Sequence, residues 1–120
     1  LQVLALHLVT QHYLPRLSSL SSTKDLKPAL LVTNSHLPWD PVPQLLSLSL
    51  VKAAQRTQIL ALHREYKDKG VHCGLINVQG VVDPKNAVLS PKNIAAEAFA
   101  FWQKGVGGGV EINLVEPEDY

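Results

Sequence analysis

A chain of 120 residues has the length of one small domain. Apolar residues make up 46% and charged residues 18%, which excludes a disordered segment, and a formal net charge of +1 leaves no electrostatic footprint for nucleic acid. The single cysteine, Cys73, excludes an internal disulfide and fits a small buried hydrophobe in a reducing, cytoplasmic compartment.

From the start, "LQVLALHLVTQHYLPRL" spaces Leu1, Leu4, Leu8, Val9, Leu14 and Leu17 as a largely buried helix would, with Pro15 limiting its end. His7 interrupts the first apolar run and no basic stretch precedes it, so it is not a signal peptide. No apolar run has the length of a membrane span. The chain opens inside a helical pattern, as the later portion of a longer protein would. "SSLSSTKDLKP" is a polar surface connection. "ALLVTN", residues 29–34, is a continuous apolar run, the pattern of a strand buried on both faces in a parallel sheet. The proline-rich "SHLPWDPVP" is a structured loop.

Helical spacing returns from Gln44 to about Lys69, with Leu45, Leu48, Ala53, Ile59, Leu60 and Leu62 as its apolar face and Gly70 as its C-cap. "VHCGLINVQGVV" is a second buried strand running into a loop. "SPKNIAAEAFAFWQKG" is a helix with Ser90 at the N-cap, Pro91 in the first helical position and Gly105 at its end. "VGGG" leads into a third strand, "VEINLV", and "EPEDY" is a polar tail. Helices and strands thus alternate, the order of an α/β fold with a parallel sheet and right-handed crossovers. Three strands leave an open edge for further chain or another subunit to cover.

In such a sheet, ligands bind beyond the carboxyl ends of the strands. There, "LLVTNS", a proline-bearing loop, "SLSLVKAA" and "GVHCGLINVQGVV" follow one another in an order that resembles the second half of a short-chain dehydrogenase/reductase, in the style of divergent fungal members. The resemblance covers nearly the whole chain and rests on joint spacing. It implies the carboxyl-terminal part of a Rossmann-like fold, NAD(P) as cofactor and a small carbonyl or alcohol as substrate. In that family a serine ends a central strand, a tyrosine follows thirteen residues later, and a lysine four residues after that. Ser35, Leu48 and Lys52 hold those positions.

Residues four apart share a helix face. The family's lysine lowers the phenol's pKa and binds the ribose, the phenol protonates the carbonyl, and the serine holds the carbonyl oxygen. By resemblance Ser35 and Lys52 are catalytic positions, and Lys52, Gln79, Gly80 and Val82 are cofactor-binding positions. Leu48 cannot give a proton, so the expected product is a pseudoenzyme: an oxidoreductase frame without its acid. Tyr13, Tyr66 and Tyr120 all lie away from the position in the pattern, and Gln2 stands about where the family places a helper asparagine. The glycine-rich phosphate loop that opens the family's fold is not in these residues.

The alternative is a non-catalytic dimerisation or scaffold domain. The resemblance implies a homo-oligomer contact through helices 1–18 and 44–69. Each site residue also has a plain reading: Ser35 as a strand-end serine bonding local backbone, and Lys52 as a surface lysine. Ser35, His36 and Asp40 have the residue types of a hydrolase triad but no nucleophile-elbow pattern. His36 is also a stand-in acid for the lost phenol. His7, His12, His63 and His72 lack metal-ligand spacing. "GVGGGV" precedes a strand and is a flexible turn. Phe99 and Trp102 are packing residues, and Trp39 is either a pocket wall or a loop anchor.

Overall fold

In a computed structural model, residues 1–23 and 25–116 are described. The elements are α1 (Gln2–Leu20), β1 (Ala29–Asn34), α2 (Leu46–Tyr66), β2 (His72–Gln79), α3 (Pro91–Lys104) and β3 (Glu111–Val115). Short 3-10 turns at Pro43–Leu45, Lys67–Lys69 and Gly105–Gly108 flank the helices. The three strands form one parallel sheet in the order β1-β2-β3. Together with its flanking helices it is the α/β architecture expected from the alternating pattern. The polar tail expected at 116–120 falls mostly outside the described residues.

Side-chain alternation divides the core in two. Leu30 and Val32 of β1 and Cys73 and Leu75 of β2 face α1 and α2, where Leu14, Ile59 and Val71 complete one cluster. Leu31 of β1, Ile76 of β2 and Leu114 of β3 face the other way, against Phe101 of α3 and Leu89 of the loop before it. β2 is the buried centre, while β1 is only half-buried. β1 is packed on both faces, as expected, by Leu30 and Val32 on one and Leu31 on the other, but as an edge strand it is only half-buried.

Both β1→β2 and β2→β3 step in the same direction, yet α2 and α3 lie on opposite faces. The two crossovers are therefore of opposite hand, so the expectation of right-handed connections throughout fails for one of them. With α3 behind the sheet, the front of β3 has no helix of its own over it.

Helix α1 continues through Pro15 to Leu20, against the expected stop. Proline removes one N–H from the ladder, but Leu14 is buried and Leu17 packs on the same cluster, which holds the last turns down. The apolar face of α1 is also not the expected one. Leu6, Thr10, Leu14 and Leu17 face the core, whereas Leu4, Leu8 and Val9 are exposed. On α2, Ile59 is buried and Leu62 packs beside it, but Leu48 and the adjoining Leu45 are exposed. Gly70 ends this segment at φ 77°, and Ser90 caps α3 by accepting the Asn93 N–H, as the sequence predicts.

Candidate functional site at the carboxyl ends of the strands

Parallel pairing brings the strand ends Asn34, Gln79 and Val115 to one edge of the sheet. The register places Asn34 beside Asn77 and Asn77 beside Asn113, an asparagine row across all three strands. Asparagine is poorly suited to strand interiors, so three in one row need partners. Asn34 donates from Nδ2 to the Lys52 carbonyl at 2.9 Å and accepts the Ser35 N–H at 2.7 Å. This clasp fixes the end of β1 to the second turn of α2.

The expected reaction-centre residues sit around that clasp. The Ser35 hydroxyl accepts the Leu37 N–H at 3.2 Å, which is the plain local role. Lys52 is half-buried, and its ammonium has no hydrogen bond or ion pair among the described residues. Leu48 and Gln2 line one depression of about 330 Å³ between the starts of α1 and α2, together with Leu1, Ser47 and Val51. The structure thus joins Ser35 to Lys52 through Asn34, and Gln2 to Leu48, but the hydroxyl of Ser35 does not border the Leu48 depression.

Gly80 has φ 149°, and a Cβ there would come within 2.6 Å of Leu89 Cδ1 and 2.7 Å of Glu116 Cβ. It is a closed packing position. Val82 is 50% exposed in the loop that follows. Gln79 turns its amide to His36 and Asn113. Of these positions, Lys52 has an unengaged ammonium, Gly80 is packed over, and an aliphatic side chain, Leu48, stands at the acid's position.

The hydrolase arrangement is not formed. His36 Nδ1 is 2.9 Å from Gln79 Oε1, and no bond joins its ring to Ser35 or Asp40. Among the described residues no three His, Cys, Asp or Glu side chains are grouped to hold a metal. His72 is buried; its Nε2 donates to the Gly109 carbonyl at 2.8 Å, and Nδ1 is left without a partner. Burial, chiefly, pushes its pKa below the ordinary value. Burial also pushes the Cys73 thiol up to about 11, so it is not a nucleophile at neutral pH.

Polar groups instead converge on the uncovered front of β3. Arg56 reaches from α2 to Glu111, with Nη2–Oε1 2.9 Å and Nε–Oε2 3.3 Å. Asn77 Nδ2 donates to Glu111 Oε2 at 2.9 Å and to Asn113 Oδ1 at 3.0 Å. Gln79 Nε2 donates to the same Asn113 oxygen at 2.8 Å. The Arg56 guanidinium lies 4.5 Å from the Trp39 ring centroid, and the His36 ring stacks on Trp39 at 6.0 Å with planes 22° apart. The Arg56 hydrogen bonds, above all, hold the Glu111 carboxyl below its ordinary pKa. Trp39 borders a depression here and is at the same time anchored by Arg56 and His36.

Sequence reasoning missed Arg56, Asn77, Glu111 and Asn113. The only trace is for Asn77 and Asn113, in the recurrence of an asparagine within each strand-like run, as in "VTN", "INV" and "INL". No protein-family model matches the chain, and neither the curated proteins nor the solved structures contain a significant match.

Proposed function

We propose that the chain carries the carboxyl-terminal frame of a Rossmann-like oxidoreductase, of the short-chain dehydrogenase/reductase style, and does not itself reduce a carbonyl. The supporting observation is the Asn34 clasp on Lys52, which ties the strand end bearing Ser35 to the helix turn bearing the lysine. A parallel sheet with the strands in chain order agrees with that frame. Leu48 removes the acid: an alkyl group has no proton to give and no charge for Lys52 to stabilise. Bound NAD(P) would supply the hydride; of this chain's own residues, only the Lys52 ammonium remains to meet a ribose. Titration of the chain with NADH and NADPH, followed by nicotinamide fluorescence, tests the reading. Neither cofactor is expected to saturate the protein, and tight binding of either would overturn the claim that this chain alone does not hold the dinucleotide.

A second reading, a homo-oligomeric scaffold, is favoured by the exposed apolar residues of the first two helices. Leu4, Leu8 and Val9 of α1 and Leu46, Leu48 and Leu50 of α2 are all solvent-facing. Apolar surface gathered in this way marks interaction sites. Light scattering decides it: a clean monomer at high concentration removes this reading and leaves the first untouched.

A further inference from the structure

The front of β3 holds a cleft of about 390 Å³, lined by His36, Trp39, Gln79, Glu111, Asn113 and Val115. Its size lies at the lower end of small-ligand sites, which span roughly 300–1,000 Å³. We infer that this cleft binds a neutral sugar ring, stacked on Trp39 and hydrogen-bonded by Asn113 and Glu111. The inference is independent of the reductase frame.

Three features of the cleft select that chemistry. First, Trp39 is 43% exposed and offers an aromatic wall on the surface left free by the Arg56 guanidinium and the stacked His36 ring. Amphipathic rings bind such walls through their C–H faces. Second, the charge is already neutralised, because Arg56 is paired with Glu111. An anionic phosphate finds no free cation in the lining. Third, the spare hydrogen-bonding capacity is specific. Asn113 Oδ1 already accepts from Asn77 and Gln79, so its two Nδ2 hydrogens are the part left over. Gln79 keeps one spare N–H, since its oxygen faces His36. Glu111 accepts three bonds, two from Arg56 and one from Asn77, and a carboxylate has room for about four.

Spare donors thus stand beside a spare acceptor. Neighbouring hydroxyls on one ring satisfy both, because each accepts and donates. A nucleobase would stack equally well, but an amide reads a base edge with its oxygen and nitrogen together. Here the Asn113 oxygen already accepts two bonds, so that amide offers a ligand only its nitrogen.

The framework is held in advance. Asn77 is fully buried and fixes Asn113 and Glu111 at once, although its own Oδ1 is left without a partner. A buried unsatisfied acceptor opposes stability.

The test is a ¹H–¹⁵N NMR titration of the whole chain with methyl glucopyranosides and galactopyranosides, and with adenosine and uridine for comparison. Expected are saturable shifts at the Trp39 indole and the Asn113 and Gln79 side-chain amides, with Kd roughly millimolar. Asn113→Asp retains the accepting oxygen but removes the spare donors, and should weaken binding about tenfold, near 1.4 kcal/mol. Trp39→Phe should retain binding, and Trp39→Ala should lose it. The proposal is overturned by no saturable shift with any pyranoside, by shifts that persist unchanged in Asn113→Asp, or by tighter binding of a nucleoside.

Discussion

Gly74, at the centre of β2, should not tolerate even one added methyl group. A glycine in a strand interior ordinarily weakens the strand, and Ala there regains about 0.4–1 kcal/mol of chain entropy in favourable sites. The surroundings of Gly74 reverse that sign. A Cβ would lie 2.7 Å from Phe101 Cε2, 2.8 Å from Phe101 Cζ and 3.1 Å from Leu31 Cδ2. Phe101 is 2% exposed and its ring also packs edge-on to His72 at 4.6 Å, so it has no empty space to retreat into. Overpacking of this kind costs typically 1–3 kcal/mol. The net expectation for Gly74→Ala is a loss of about 0.5–2 kcal/mol, read as a lower midpoint in urea denaturation with an unchanged slope. Pairing it with Phe101→Leu should be less damaging than the sum of the two single changes, since the smaller side chain clears the clash. A Gly74→Ala protein as stable as the parent, or additive behaviour in the double variant, would refute the packing argument.

Other consequences are equally accessible. Stability should fall as the pH drops through 6.5, the ordinary value of His72, because the unfolded chain takes up a proton that the buried ring resists. The loss continues down to the depressed folded pKa; His72→Gln, followed by urea midpoints across that range, should flatten the slope. Glu111 acts in the same direction at lower pH, its carboxyl being depressed by Arg56, so Glu111→Gln should blunt the acid loss below its ordinary value of 4.5. Cys73 should react with a maleimide only as fast as the protein opens, and at once in denaturant, since burial raises its pKa and removes access. Ser90→Ala should cost about 1 kcal/mol in thermal or urea unfolding through loss of the α3 cap.

The elements with strong local signals were legible in the sequence. The continuous run at 29–34 is β1, and the Ser-Pro start and glycine end of α3 stand where the cap and the special backbone torsion require them. Legibility failed where tertiary contacts choose between faces. In α1 the leucines at 4 and 8 form as good a stripe as Leu6, Leu14 and Leu17, and only the position of the sheet decides which is covered. Pro15 was misleading because packing of Leu14 and Leu17 outweighs one missing hydrogen bond. The cleft was hardly legible at all. Its residues come from the loop after β1, from the end of β2 and from along β3, and the front of β3 is open to them because α3 lies behind the sheet.

The open side of β1 leaves a signature along the backbone itself. The His72 amide bonds to the Pro28 carbonyl at 3.1 Å, which sets the phase of the β1–β2 ladder. In a parallel ladder the groups of alternate residues point to opposite sides. Leu30, Val32 and Asn34 thus direct their amides toward β2, and Ala29, Leu31 and Thr33 direct theirs outward. Deuterium uptake along this strand should alternate between slow and fast from one residue to the next. If a further strand, from a longer chain or from another copy, adds to this edge, the alternation collapses to uniform protection. The exchange pattern of six consecutive residues, Ala29–Asn34, is therefore a direct report on whether the sheet stands alone.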